Sequence, residues 1–357
     1  MAMLTLHRNK LRHNHAFLHQ LFAQSEADWG VVTKLLCGNA LFIKEVLALG
    51  VKEVHDSRVS NLRMIKKLAP DVQTCYIKPA PMRSIPAIIQ YADVSLQTDL
   101  ATIQALSEEA KKQRKTHKVI IMVEMGDLRE GVMGEQLVDF YESVFELHHI
   151  EIIGLGTNLN CLHGVMPSQD KLIQLSLYKQ IIEIKFNRQI PWISGGTSVT
   201  VPLLLQKRIP PGVNHFRIGE TLYFGADLFA DKVIEGMEAD VFSFQAEIIE
   251  LSEKPLLPTG DLGFNPQGEM LEMDENLYGK TSFRAIIDVG VLDIDPKYLL
   301  MELPGISIIG SSSDMMVLDL GENPHQLKVG DTIPFGLKYM GALSLMNSNY
   351  VEKQVAS

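Results

Sequence analysis

The chain is short of cysteine, of long apolar runs and of positive charge, and each shortage narrows what it can be. Its three cysteines, Cys37, Cys75 and Cys161, have no paired spacing among 357 residues. That argues against a disulfide framework and against a zinc site, and no metal is expected; a reducing, cytoplasmic compartment fits. No run reaches the ~18 apolar residues of a membrane span, and the N-terminus lacks the apolar core of an export signal. The formal net charge of -10 argues against a nucleic-acid partner held by its phosphates. The one basic run, Lys111-Lys112-Gln113-Arg114-Lys115, closes an acidic-to-basic helix and reads as a solvated end. Hydrophobic residues at 46% and charged residues at 21% are ordinary for a soluble globular enzyme. The length allows one large domain plus a smaller one.

Short apolar runs alternate with amphipathic stretches. A strand is expected over 3–7 and a helix over 8–23. Strands then fall at 29–36, 53–56, 72–77, 93–97, 118–124, 151–158, 192–194 and 215–218, with helices at 40–49, 61–68, 85–91, 100–114, 134–147, 170–186 and 201–206. Eight strands with helices between them over roughly 210 residues are the pattern of a (β/α)8 TIM barrel, with a doubly wound open sheet as the structural runner-up. After about residue 231 the grammar changes to short strands separated by Gly/Pro/Asp turns, with no helix-length periodic segment. The expected organisation is a barrel over 8–231, followed by an all-β C-terminal domain made of 232–357 together with 1–7.

In such a barrel chemistry gathers at the C-terminal ends of the strands. Lys34 stands near the end of the first. A lysine buried there is the nucleophile a Schiff base requires, whereas one at the strand tip reaches water. Ser194-Gly-Gly-Thr-Ser198 follows a strand and opens a helix, so Ser194, Gly196, Thr197 and Ser198 either cradle a phosphate or make a tight turn. Arg217 ends the last strand, and Gly219 beside it permits close backbone approach; an arginine there is otherwise a surface ion pair.

These residues carry a resemblance. Lys34 on the first strand, Ser194–Ser198 on the seventh and Arg217-Ile-Gly219 on the eighth resemble the fold-type III pyridoxal phosphate (PLP) enzymes. The β tail points within that group to the alanine racemase family. Leu11-Arg-His-Asn14, Gly126-Asp-Leu-Arg129-Glu-Gly131, Gly310-Ser-Ser-Ser-Asp314 and Val329-Gly-Asp331 are similar to further family motifs. Val32-Thr-Lys34 and the 154–161 segment look nearest to its alanine/ornithine racemase-like branch. The resemblance implies that Lys34 holds PLP and serves as one proton-transfer base, and that Arg217 bonds the pyridine nitrogen. It implies that Ser198, with the amides near Gly219 and Glu220, holds the phosphate, joined by the Tyr339 hydroxyl. Arg129 would steady the ring hydroxyl or the substrate carboxylate, and Asn158 would lie by the ring where the family has histidine. A homodimer with shared active sites is also implied, because the family draws its second base, a tyrosine, from the partner's β domain.

Two departures bear on substrate. Met122 stands where typical members carry a carbamylated lysine, and Val291 stands where the tyrosine would be. Asp293, Asp314 and the serines 311–313 are then the nearby candidates for the second base, an aspartate beside a turn being otherwise a solvated cap. Loss of both family residues opens space and removes positive charge, and Asp288, Asp293 and Asp314 are placed to receive a cationic side chain. The expected activity is racemisation of a small-molecule amino acid, ornithine or another basic one rather than alanine. A decarboxylase of the same fold type, a non-catalytic PLP-binding protein and a barrel that binds phosphorylated sugars are the alternatives.

Overall fold

The alternation folds into eight parallel strands closed on one another in the computed structural model, which describes residues 2–264, 268 and 270–357. Met1, nominally part of the expected 1–7 segment, lies outside the described residues, as do 265–267 and 269. Strand β1 (Met3–His7) runs into helix α1 (Arg8–Gln24), and the barrel then begins. Its strands are β2 (Asp28–Val32), β3 (Glu53–Asp56), β4 (Gln73–Tyr76), β5 (Val94–Gln97), β6 (His117–Met122), β7 (Ile150–Gly156), β8 (Trp192–Thr197) and β9 (His215–Ile218). Each pairs with the next, and β9 closes on β2 with Gly30 beside Arg217. Between them lie α2 (Ala40–Leu47), α3 (Val59–Leu68), α4 (Ile85–Tyr91), α5 (Leu100–Lys112), α6 (Leu137–Phe145), α7 (Gln169–Phe186) and α8 (Val201–Leu205), and α9 (Glu220–Phe224) follows the last strand. Asn39, Asp99 and Ser168 cap α2, α5 and α7 by accepting the N–H three residues on.

Side chains alternate along each strand, and the inward ones divide the barrel interior into two halves. On one side Cys75, Val94, Leu96, Ile120, Met122 and Ile153 pack into an apolar cluster. On the other, Glu53, His55, Ser194, His215 and Arg217 are buried and polar. Gly30 faces this half, where a Cβ would lie 2.2 Å from His55 Nε2. Only glycine leaves that space.

The chain divides into two compact units, 7–241 and the residues up to Leu6 together with 242–356. The boundary thus falls at 241/242 rather than 231/232, because the intervening segment is bonded to the barrel unit. The short strands β10 (Ala226–Asp227) and β11 (Lys232–Val233) pair with each other. Asn14 on α1 accepts from Glu238 N at 2.8 Å and donates to Glu238 O at 2.8 Å. The second unit is built on the long strand β12 (Phe242–Pro255) with β13 (Thr281–Ile287), β14 (Leu299–Met301), β15 (Ser307–Ser311), β16 (Met316–Asp319) and β17 (Thr332–Leu337), in the order β14-β17-β12-β13-β16-β15. β1 joins β12 antiparallel, Met3 opposite Gln245, and β18 (Glu352–Ala356) pairs with β1. Alternate residues of β12, among them Phe242, Phe244, Ala246 and Ile248, are buried. One helix interrupts this unit where none is expected: α10 (Tyr339–Asn347). Among the described residues, no helix is long and apolar enough to cross a membrane.

His117 is a barrel group on which stability at acid pH depends. It lies on the outer face of β6, buried, bonded to Ser95 Oγ at 2.8 Å. Burial pushes its pKa down to about 4. Between pH 6.5 and 4 the unfolded chain therefore binds a proton that the folded chain refuses, so stability is lost as pH falls through that window, by about 3 kcal/mol in all. Both tryptophans, Trp29 and Trp192, belong to barrel strands, so tryptophan fluorescence reports unfolding of this unit alone. Urea unfolding followed that way should weaken as pH falls from 6.5 to 4, and His117→Gln should flatten the dependence by about one proton. Equal slopes for the two proteins would remove His117 from the account.

Candidate active site

The first barrel strand is shorter than the apolar run 29–36 suggests. It ends at Val32, because Thr33 turns the chain: its N–H donates to His55 O at 2.8 Å and its hydroxyl to Asp56 Oδ2 at 2.9 Å. Asp56 is in turn held by Arg58 N at 2.9 Å and Asn61 Nδ2 at 3.1 Å. Lys34 opens a single 3-10 turn, Lys34–Leu36, that buries Leu35 and Leu36 and leaves the lysine exposed. Of the two readings of this lysine, the structure has the one that reaches solvent, on a turn just past the strand. Lys34 stands beside Glu220, where burial raises the carboxyl pKa and the lysine charge opposes that rise.

Arg217 is the reverse case, an arginine at a strand end that is not a surface ion pair. It is 2% exposed. Its Nη1 donates to Ser194 Oγ, and its Nη2 donates to Thr157 O at 2.7 Å. Burial pushes its pKa down; Cys75, Glu130, Cys161 and Glu53 oppose the shift. Ser194 belongs to β8 itself, not to a turn after it, and its hydroxyl also bonds His215 Nδ1 at 2.8 Å. Its expected place in a phosphate cradle is therefore corrected: the side chain points into the barrel, to Arg217. His215 Nε2 lies 3.1 Å from Glu53 Oε1, and His55 Nε2 approaches the same oxygen at 2.6 Å. These three groups bring ligand-type atoms within 4.8 Å of one another. The 2.6 Å contact is that of a direct pair, since a tetrahedral ion with bonds of about 2.1 Å spaces its ligands by more than about 3 Å.

The cradle forms one step further along the chain. Ser198 Oγ accepts from Gly219 N at 3.3 Å and Thr221 N at 3.1 Å, joining the end of β8 to the start of α9. Gly196 has φ +131°, and a Cβ there would meet Thr200 Oγ1 at 2.4 Å. Thr197 lies opposite Arg217 in the β8–β9 register. The amine just beyond β2, the guanidinium on β9 and this hydroxyl–amide corner just beyond β8 thus belong to three adjacent strands. They suit an anionic ligand with a carbonyl carbon and a basic ring nitrogen.

Two loops flank this corner. Arg129 forks onto the carboxylate of Glu130, and Asn158 Nδ2 donates to Glu130 Oε1 at 3.3 Å and to Cys161 Sγ at 3.2 Å. Asp127 fastens the loops together. Its carboxylate accepts from the backbone N–H of Cys161 and Leu162 at 3.0 Å, His163 at 3.1 Å and Val165 at 3.3 Å. Burial alone would raise its pKa, but these four donors hold it below the usual carboxylate range.

The remaining expected residues belong to the second unit. The turns around Val291 and Ser312 pair closely, with Val291 N on Ser312 O at 3.0 Å and Leu292 N on Ser313 O at 2.9 Å. Asp314 is exposed and accepts from Ser313 Oγ at 3.1 Å. Asp293 is buried and takes the Ser348 hydroxyl. Tyr339 begins α10. Sequence reasoning passed over Glu53, His55, His215, Thr157, Asp127 and Glu130. A signal existed only for the strand residues, in the spacing of Glu53-Val-His55 and His215-Phe-Arg217, which puts charged and imidazole groups on one face of each strand.

Comparisons with known proteins agree with this layout. The family model for the alanine racemase N-terminal domain matches residues 6–227. The chain is similar to an ornithine racemase of Acetoanaerobium sticklandii, 33% identical over 353 residues and covering 99% of each. It is also similar to a lysine racemase of Thermotoga maritima, 30% identical over 322 residues, 90% of this chain and 89% of that one. An alanine racemase of Bartonella henselae solved with covalently bound pyridoxal phosphate shares the fold, with a TM-score of 0.75 at 17% identity and 99% of both chains covered.

Removing the Asp127 carboxylate tests how firmly the flanking loops are held. In Asp127→Ala four backbone donors lose a charged acceptor, so amide exchange over residues 161–165 should rise by about 100-fold, hydrogen bonds to charged groups being worth about 1.5–3 kcal/mol. Exchange mass spectrometry showing unchanged protection there would mean that the loops are held by something else.

Proposed function

The chain belongs to the alanine racemase family, and on that premise we propose that it is a PLP-dependent amino-acid racemase acting on ornithine or another basic amino acid in preference to alanine. The observation that carries the reading is Arg217, a guanidinium sealed inside the barrel on the strand next to the one that leads to Lys34. The residues present fit PLP. Gly196 and Gly219 let the chain pack closely on Thr200 and Val32 beside the Ser198 corner, and Ser198, Gly219 and Thr221 supply hydroxyl and amide groups for a phosphate. Lys34 would supply the amine for the covalent bond, and Arg217, a group that has donors only, would bind the ring nitrogen. Gly196, Thr197, Glu220, Arg129, Asn158 and Tyr339 complete the proposed cofactor site.

Bound there, the cofactor supplies an electron-withdrawing ring that acidifies the substrate's Cα–H bond. The protein's part is to place bases and exclude alternatives. Lys34 Nζ takes or returns the Cα proton on one face. A carboxylate from the β unit of a partner chain serves the other face, so the active species is a homodimer with shared sites. Of the two candidates, Asp314 is exposed on its turn, whereas Asp293 is spent on Ser348; Asp314 is therefore the preferred base. A permanently charged guanidinium at the ring nitrogen keeps that nitrogen unprotonated and the ring a moderate electron sink. This suits reversible proton exchange and disfavours a decarboxylase. The full second unit disfavours a bare PLP carrier.

Preference for basic substrates is supported by the two relatives, by Met122 lying in the apolar cluster where no lysine charge enters, and by the acidic loops of the second unit. Three free thiols support a cytoplasmic setting. Deuterium uptake at Cα, measured across a substrate panel, tests the reading. Ornithine or lysine should exchange at least tenfold faster than alanine by kcat/KM, about 1.4 kcal/mol in barrier. Alanine or serine outrunning the basic amino acids by that margin would refute the substrate assignment.

A further inference from the structure

The barrel holds a buried acid that the proposed reaction does not use. Glu53 is 7% exposed, three hydrogen bonds away from Arg217, and those bonds admit one consistent direction. Arg217 has donors only, so its Nη1 donates to Ser194 Oγ. The Ser194 proton is then directed to His215 Nδ1, 2.8 Å away, which must be the unprotonated ring nitrogen. His215 therefore carries its proton on Nε2, aimed at Glu53 Oε1 at 3.1 Å. A doubly protonated His215 would set two donors on Ser194 and leave the serine proton without an acceptor. The ring has little freedom to do otherwise, because Trp192 stacks on it at 4.4 Å and 7°.

The charges agree with this direction. Burial penalises an ionised Glu53, yet His55 and His215 outweigh that penalty and hold its pKa well below the usual range. Burial lowers the pKa of His55, and Glu53 opposes that shift. A buried guanidinium without a counter-charge is strongly disfavoured; Glu130 and Glu53 both offer one, Glu53 through His215 and Ser194.

We infer that Glu53 is a positioning residue for Arg217, acting through His215 and Ser194 to fix the guanidinium as a donor toward the ring nitrogen of the cofactor. The inference rests on the PLP reading above. Removing the Ser194 hydroxyl leaves Arg217 with only Thr157 O among these partners, and breaking the relay at His215 or Glu53 frees that hydroxyl to turn; either lets the fork rotate away from the ring.

The test is the 15N resonance of the ring nitrogen in holoenzyme loaded with labelled PLP, read with kcat and KM. Glu53→Gln and Ser194→Ala should each move the resonance toward the protonated position and lower kcat about tenfold, with KM within about twofold. His215→Gln, whose amide can accept from Ser194 and donate to Glu53, should keep the native signal, and His215→Leu should lose it. Ser194→Ala deletes one hydroxyl and no charge, so it decides the matter if Glu53→Gln does not fold. An unmoved resonance and unchanged kcat in Ser194→Ala, while Arg217→Lys does shift the signal, would overturn the relay and leave the Arg217 assignment standing. An unmoved resonance in Arg217→Lys as well would overturn that assignment and the relay with it.

Discussion

A guanidinium inside a closed barrel has no bulk water to answer its N–H donors, and much of the site follows from how Arg217 is answered. Ser194 and the Thr157 carbonyl take two of them, and the network behind Ser194 brings in His215 and Glu53. That network needs room, which Gly30 leaves for His55, and it needs neighbours that do not compete. The barrel meets the second need by confining Cys75, Val94, Leu96, Ile120, Met122 and Ile153 to the other half of its interior. A side chain held this way keeps one orientation, and a fixed donor is worth more to a bound ring than a mobile one, because its ordering cost has already been met.

The alternation of apolar runs and amphipathic stretches was enough to read the barrel, and the turn-rich remainder was enough to read a β unit. What escaped did so for identifiable reasons. The run 29–36 reads as one strand because Leu35 and Leu36 are apolar, yet they are buried by a turn that Thr33 starts. Helix α10 is missed because Gly341, Ala342, Leu345 and Met346 are buried along a nine-residue segment too short to display a clear period. Lys34, Ser198 and Arg217 were visible through a family pattern; the partners of Arg217 were not. Glu53 and His215 lie 162 residues apart, and only the β2–β3 and β2–β9 registers bring them to one face. Asp127 is the same lesson in a loop, since its four donors come from a segment more than 30 residues away.

The second unit adds the acids that the proposed reaction needs and the barrel interior does not offer to substrate. Gly290 is packed so tightly that a Cβ there would lie 2.5 Å from Asp314 N, which welds the Val291 turn to the serine turn. Val291 is 44% exposed at this tip and carries no hydroxyl, and Asp314 is exposed on the turn paired with it. The proposed preference for a cationic substrate follows from the same replacement: removing a bulky residue makes room for a longer side chain, and the nearby acids give it a partner.

The central claim is that Lys34, on the turn beyond the strand paired with that of Arg217, bears the cofactor. Borohydride reduction of the holoenzyme followed by peptide mapping tests it most directly. The account predicts that the absorbance near the visible edge disappears and that the pyridoxyl mass is fixed on the peptide containing Lys34. The same mass on any other lysine, or a chromophore that survives reduction, would contradict it.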